Sequence, residues 1–236
     1  ESPPVPTQLG MRPPEAAASA EVAAASFPAA AVTLDEADGG GAAARTLAFP
    51  LLGVGAFGFD LDRGVDVACR AVAAFLAARP PSPDGLQLLL IASDDTAERR
   101  AMRAVRNHLA LRDEPRLRVA RGCLVELSNL RPPLPAAFVA NDANPRLSAK
   151  GGGVNRLLHD AAPTLAAATR AAAKATGCPA IVPAGSALAV DLPPDDPLRA
   201  AQGIRYVLHA VGPNMNPHRA DCLDGDYELG CALLAR

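Results

Sequence analysis

The stretch LQLLLIAS, Leu86 to Ser93, constrains the fold more than any other. It carries no charge, and from Leu88 to Ala92 every side chain is apolar. A strand that is apolar on both sides must be covered on both sides, which is the situation in parallel sheets flanked by helices. TLAFPLL (46–52), AAFVAND (136–142) and RYVLHAVGP (205–213) read as further buried strands, and LRVARGCLVEL (117–127) as another. Between them lie helical patterns. DRGVDVACRAVAAFLAAR puts Val65, Ala68, Cys69, Val72, Phe75 and Leu76 on one greasy face. AERRAMRAVRNHLALR is amphipathic, with an Arg-rich face that reads as solvated. Strands alternating with helices predict an α/β fold of three layers, α/β/α, around a mixed or largely parallel sheet. In such folds ligands sit at the carboxyl ends of the strands.

Further along, a single helix is expected from about Val154 to Lys174, a strand within PAIVPAGSAL (179–188), and a last helix in DYELGCALLAR. Residues 1–44 are rich in Ala and Pro with few large side chains, so they read as a linker. Residues 45–236 then form one domain, and that length suffices for one sizeable core. The chain begins at Glu1 rather than Met and is read as a domain cut from a longer protein.

Two glycine turns follow expected strands. Gly151-Gly152-Gly153 opens straight into a helix. Its residues lack Cβ atoms and can turn N–H groups toward one point, while the helix start adds unpaired donors and partial positive charge. That suits a phosphate or diphosphate; a flexible connection is the other reading. Gly53-Val54-Gly55-Ala56-Phe57-Gly58-Phe59 is the second turn, able to close over the same phosphates. Phe57 and Phe59 either face a ligand or join the core. Asn141 and Asn144, in VANDANP, either pin ribose hydroxyls or hold the loop. His159 and His209 read as satisfied core residues, since neither has a Ser or Cys nucleophile at a recognisable spacing.

Composition excludes several functions. A net charge of -2 argues against general nucleic-acid or membrane-surface binding. An aromatic content of 3% with no Trp argues against a base-stacking platform. The five cysteines form no CxxC pair and no metal-ligand spacing, so no metal or cofactor is expected. Scattered thiols fit a reducing compartment, nuclear or cytoplasmic. No apolar run is long enough to span a bilayer.

Taken together, VANDAN, KGGGVN, LLHDAAP, CPAIVPAGSAL, LHAVGP and FPLLGVGAFGF resemble the motifs of a macro domain, the ADP-ribose-binding fold. The family pattern runs through "NAAN", "GGGGVD", "IHxAAGP" and "IHTVGP" to a late "FPAISTGIYGFP". Here the last of these, FPLLGVGAFGF, comes first, as in a circular permutation, and the order is similar to the macro region of plant and algal aprataxin-like proteins. The resemblance implies a first diphosphate loop at Gly151, Gly152, Gly153 and Val154. It implies a second at Gly53, Val54, Gly55, Ala56 and Phe57, with Phe57 and Asn144 near the distal ribose and Asn141 as the partner asparagine.

Three positions depart from the pattern. Cys123 stands where an acid would accept from the adenine amino group, and a thiol is a weak acceptor. Asn155 replaces an acid that helps activate water in hydrolytic members, and an amide is no general base. Lys150 replaces a glycine. The resemblance therefore implies binding of ADP-ribose or a related nucleotide diphosphate. A hydrolase acting on ADP-ribosyl or ADP-ribose 1''-phosphate linkages is the alternative, with Asn144, Asn155 and His159 as the residues to test. A non-binding scaffold in a larger nucleotide-processing or DNA-repair protein is the third reading. Partners under these readings are ADP-ribosylated protein or nucleic acid and neighbouring domains of a longer chain.

Overall fold

The computed structural model describes residues 46–79, 85–133, 136–219 and 221–235. The expected linker at 1–44 and most of the PPSPDG break lie outside the described residues. Six strands form one sheet: β1 (Thr46–Pro50), β2 (Gln87–Ala92), β3 (Leu117–Arg121), β4 (Phe138–Asp142), β5 (Ser186–Asp191) and β6 (Tyr206–Val211). Their order is β3-β2-β1-β4-β6-β5, and only the β5–β6 pairing is antiparallel. Helices α1 (Leu61–Ala77) and α2 (Asp95–Asn107) share one apolar cluster. The opposite cluster takes in α3 (Gly153–Ala161), α4 (Leu165–Ala175) and α5 (Pro197–Gln202). A sixth helix, α6 (Tyr227–Leu234), closes the chain.

The central strand behaves as its composition dictates. Leu88, Leu90 and Ala92 of β2 enter the α1–α2 cluster, while Leu89 and Ile91 enter the other. Successive strand side chains point to opposite faces, so a strand covered twice must be apolar throughout. In α1, Val65, Cys69, Val72 and Leu76 lie on the buried face, and Asp60 caps the start by accepting from the Arg63 N–H at 3.0 Å. β3 lies at the sheet edge and is only partly buried, with exposed Arg118 and Arg121, charges of the kind that discourage edge pairing. Among the described residues no helix is long and apolar enough to cross a membrane.

Three expectations need correction. The single helix over 154–174 is two, because Pro163 lacks an N–H and the backbone turns at Ala162 (φ -119°, ψ 83°). The strand expected within 179–188 starts only at Ser186. Before it, Val182 donates to the Pro145 carbonyl at 2.7 Å rather than to a strand, and Pro179 and Pro183 have no N–H to offer a ladder. Helix α5 was not anticipated, although its signals are readable. Asp196 caps it (Leu198 N–H to Oδ1, 2.9 Å), Pro197 opens it, and Gly203 ends it at φ 74°.

Candidate functional site

Both glycine turns leave the carboxyl ends of adjacent parallel strands, β1 and β4, so they emerge on the same edge of the sheet. The turn after β1 is tight. Phe59 N–H donates to the Gly53 carbonyl at 3.0 Å and Gly58 N–H to that of Gly55 at 2.9 Å. Gly55 sits at φ 117°, a backbone state that side chains resist. The turn after β4 ends in α3, whose flanking residue Gly152 supplies no side-chain cap, and Gly153 enters the helix at φ 59°. The first N–H groups of α3 are therefore not taken up by a capping side chain.

Between the two turns lies a cavity of about 290 Å³. One wall is Val54, Gly55, Ala56 and Phe57; the other is Gly152, Gly153 and Val154. Asp142 lines it too, as do Ala92, Ser93 and Asp94 where β2 runs into α2. Bends almost a hundred positions apart thus line one space. Phe57 lines this space although it is 5% exposed, whereas Phe59 is core, edge-on to Tyr227 with ring centroids 5.5 Å apart. The segment after β6 braces the first wall. Met215 N–H donates to the Phe57 carbonyl at 2.7 Å, Asn216 Nδ2 to the Ala56 carbonyl at 3.1 Å, and the Arg219 guanidinium lies 5.1 Å from the Phe57 ring centre.

The remaining candidates are near the cavity without lining it. Gly53 turns its N–H to Asp142 Oδ2 at 3.3 Å. Gly151 precedes the second wall. Asn144 uses its side chain on its own loop: Nδ2 donates to the carbonyls of Ser148 (2.7 Å) and Lys150 (2.9 Å), and Oδ1 accepts from the Arg146 N–H at 3.1 Å. Cys123 is half-buried in the turn after β3, where Gly122 N–H bonds the Ala92 carbonyl at 3.1 Å.

Asn141 and Asn155 belong to a buried chain of hydrogen bonds. Asn141 Nδ2 donates to Asn155 Oδ1 at 2.9 Å and pairs with His209 Nδ1 at 2.8 Å. Asn155 Nδ2 donates in turn to the Ser148 carbonyl at 3.0 Å, inside the loop that leads to the glycines. On the other side of the ring, His209 Nε2 lies 2.9 Å from Thr169 Oγ1, which donates to the Leu165 carbonyl at 2.7 Å. Since the threonine proton is committed to Leu165, the ring must carry its hydrogen on Nε2 and accept at Nδ1. Burial, and then His159, push the His209 pKa down to about 4, so the ring is neutral. His209 is therefore the satisfied core histidine its strand context predicts. His159 stacks on it with ring centres 6.1 Å apart, and burial lowers its pKa too.

Asp142 is the site residue sequence reasoning missed. Burial raises its pKa to about 7, against the opposing pull of the Gly53 N–H and of Arg219. Its Oδ1 is buried without a hydrogen-bond partner among the described residues. The signal was available: a carboxylate ends a strand that is apolar from Phe138 to Ala140, at the carboxyl edge of the sheet where the glycine turns emerge. Among the described residues no group of three or more His, Cys, Asp or Glu is placed to hold a metal ion. What the cavity offers is backbone N–H groups, a helix start and one carboxyl of adjustable charge.

No protein-family model matches the chain. In sequence it is 34% identical over 197 residues to an Arabidopsis thaliana protein described as transcription factor bHLH140. That match covers 80% of this chain but 20% of the Arabidopsis protein, so the chain spans about a fifth of that relative's length. In structure it is similar to an Oryza sativa APL macrodomain in complex with ADP-ribose, with a TM-score of 0.69 and 33% identity, covering 83% of this chain and 92% of that one. An ADP-ribose binding macrodomain from Dictyostelium discoideum matches in fold, with a TM-score of 0.61 at 21% identity over 82% and 87% of the two chains.

Proposed function

Given that this chain belongs to the macrodomain family, we propose that it binds ADP-ribose or a related nucleoside diphosphate between its two glycine turns. The observation that carries this reading is the shared cavity, with Gly55 and Phe57 on one wall and Gly152 and Gly153 on the other. Backbone N–H groups of two turns around one cavity, with the positive end of α3 beside them, favour a diphosphate. Several such donors give binding in the micromolar range, roughly -8 kcal/mol. In this reading Val54, Ala56 and Val154 shape the cradle and Phe57 offers a face to a sugar. Asn144, Asn141 and Asn155 act one step back, by holding the loop 144–153 in register. The same chemistry extends to an ADP-ribosyl group carried on a protein or nucleic acid.

We also read the chain as a circularly permuted macrodomain, similar to that of aprataxin-like proteins. The support is that FPLLGVGAFGF, which comes late in the family pattern, precedes VANDAN and KGGGVN in this chain. The length of the matched Arabidopsis protein supports neighbouring domains in a longer chain.

Calorimetry with ADP-ribose, ADP and AMP tests the binding reading. Micromolar affinity for ADP-ribose is the expected result, and no heat from any of the three up to millimolar concentration rejects it. Gly152→Glu is the matching variant. Gly152 has an ordinary backbone (φ -117°), and a Cβ built there meets nothing within 4 Å. The substitution leaves the fold intact and puts a carboxylate in the diphosphate position, so binding is abolished. Unchanged affinity moves the site elsewhere.

A further inference from the structure

Asp142 lines the cavity that residues of both glycine turns also line. Its backbone ends β4, its side chain lines the cavity, and its Oδ2 accepts the N–H of Gly53 from the start of the other turn. A Cβ built on Gly212, at the end of β6, falls 3.6 Å from its Oδ1 and 3.7 Å from the Gly53 Cα. The carboxyl is therefore wedged between the ends of three neighbouring strands. One oxygen holds a single long hydrogen bond, and the other has none among the described residues. Asp142 is half-buried as a residue, but its Oδ1 is sealed from water, and an ionised carboxylate with one sealed oxygen and a single donor has too few partners.

We propose that Asp142 is a proton-linked residue of this cavity: it accompanies a bound diphosphate as the neutral acid, so that binding takes up a proton. The proposal deepens the diphosphate reading and rests on it. The physical reason is that a carboxylate and a diphosphate in one small cavity repel each other with little water to screen them. Protonation of Asp142 removes that repulsion at the lowest cost, since its pKa of about 7 lies within reach of neutral pH.

The charges around Asp142 sharpen this. Arg219, on the segment after β6, favours the ionised form, but it is exposed and solvent weakens its pull. His218 precedes it and is also exposed. Asp94 lines the far end of the cavity from the start of α2, where the N–H groups of Ala97 and Thr96, at 2.9 Å each, hold it ionised. The first turn of α3 brings no acidic side chain, and Lys150, ahead of it, is exposed. His209 and His159 both have lowered pKa values and stay neutral around pH 7. Among the described residues no set of donors or cations fully offsets the Asp142 charge, so adding a diphosphate drives the proton on.

ADP-ribose is the probe, because its diphosphate keeps a constant charge between pH 6 and pH 9. Calorimetry in buffers of different ionisation enthalpy counts protons taken up at pH 7.5, and titrations at pH 6, 7, 8 and 8.5 give the affinity profile. The expected results are uptake approaching one proton and an affinity that falls by up to ~30-fold from pH 6 to pH 8.5. In Asp142→Asn the slope is lost and binding at pH 8.5 is tighter than in the wild type. Asp142→Ala serves if the Asn variant fails to fold, and the proton count on the wild type needs no variant. Binding with no proton uptake and a flat profile overturns the proposal while leaving the diphosphate reading standing. A slope that persists in Asp142→Asn also overturns it and assigns the proton to another group, with His218 the first to test. Absence of ADP-ribose binding at every pH defeats both.

Discussion

Replacing His209 by Leu tests whether the buried chain from Thr169 to Ser148 holds the fold and the first glycine turn together. The ring is fully buried and bonded on both sides, at 2.8 Å to Asn141 Nδ2 and at 2.9 Å to Thr169 Oγ1. Leucine fills similar space and makes neither bond. One N–H of Asn141 is then a buried donor without a partner, which costs about 1–3 kcal/mol. Thr169 keeps its bond to the Leu165 carbonyl and loses only an incoming donor, about 0.5–1.5 kcal/mol. Added apolar burial returns about 1 kcal/mol. The net expectation is a loss of about 2 kcal/mol, or roughly 4–8 °C in Tm for a domain of this size. Thr169→Val alone strands the His209 Nε2 hydrogen and costs about 1–3 kcal/mol. In the double variant that hydrogen no longer exists, so a coupling energy of about 1–2 kcal/mol is expected. Urea unfolding at pH 8, where the ring is neutral, measures all four proteins. Additive losses, or a His209→Leu loss below about 0.5 kcal/mol, refute the hydrogen-bond chain. ADP-ribose titration of the folded Leu variant adds the functional readout: affinity falls because Asn141, which carries Asn155 and the Ser148 loop, loses its own bond to the ring.

Two pH effects and one steric effect follow from the same geometry. The lowered His209 pKa, about 4, means that its contribution is present above the ordinary histidine value and is lost as pH falls from 6.5 toward 4. The Leu variant's deficit relative to the wild type therefore shrinks across that window, as thermal melts at pH 4, 5, 6.5 and 8 will show. Asp142 works in the opposite direction. With its pKa raised to about 7, its contribution is present below the ordinary carboxylate value and is lost as pH rises through 7. Asp142→Asn is thus expected to be more stable than the wild type by up to ~4 kcal/mol at pH 8, and the gain vanishes near pH 4; equal melting of the two proteins at pH 8 contradicts the burial of that charge. Gly58→Ala strains a backbone at φ 72° and drives a Cβ to 3.1 Å from the Asn216 Cα. A stability loss of about 2 kcal/mol and weaker ADP-ribose binding are expected, since the Met215 and Asn216 bonds to the second turn are displaced. A Tm and affinity equal to the wild type show that this brace is unimportant.

Much of the architecture was legible from local patterns. Leu88 to Ala92 demanded cover on both faces, and Val65, Cys69, Val72 and Leu76 marked the buried face of α1. Both follow from the fixed repeat of strands and helices, a property of the chain and its nearest neighbours alone. Boundaries were less secure where proline intervened. Pro163 splits a run that keeps helical composition, and in 179–185 the Val182 N–H goes to the Pro145 carbonyl, so the strand-like residues there form no ladder. The glycine turns were visible as turns, and the resemblance to macro domain motifs implied one shared ligand. The sequence by itself determined a helix-covered α/β sheet with two turns able to cradle a phosphate. Only the tertiary structure decided the state of Asp142, because its surroundings come from Gly53, Gly212 and Arg219, far apart in the chain. Likewise it alone decided that Asn141, Asn155, Thr169 and His209 form one chain of bonds. Periodicity depends on a residue and its neighbours in sequence, whereas desolvation and hydrogen-bond pairing depend on whatever the folded chain brings within a few ångströms.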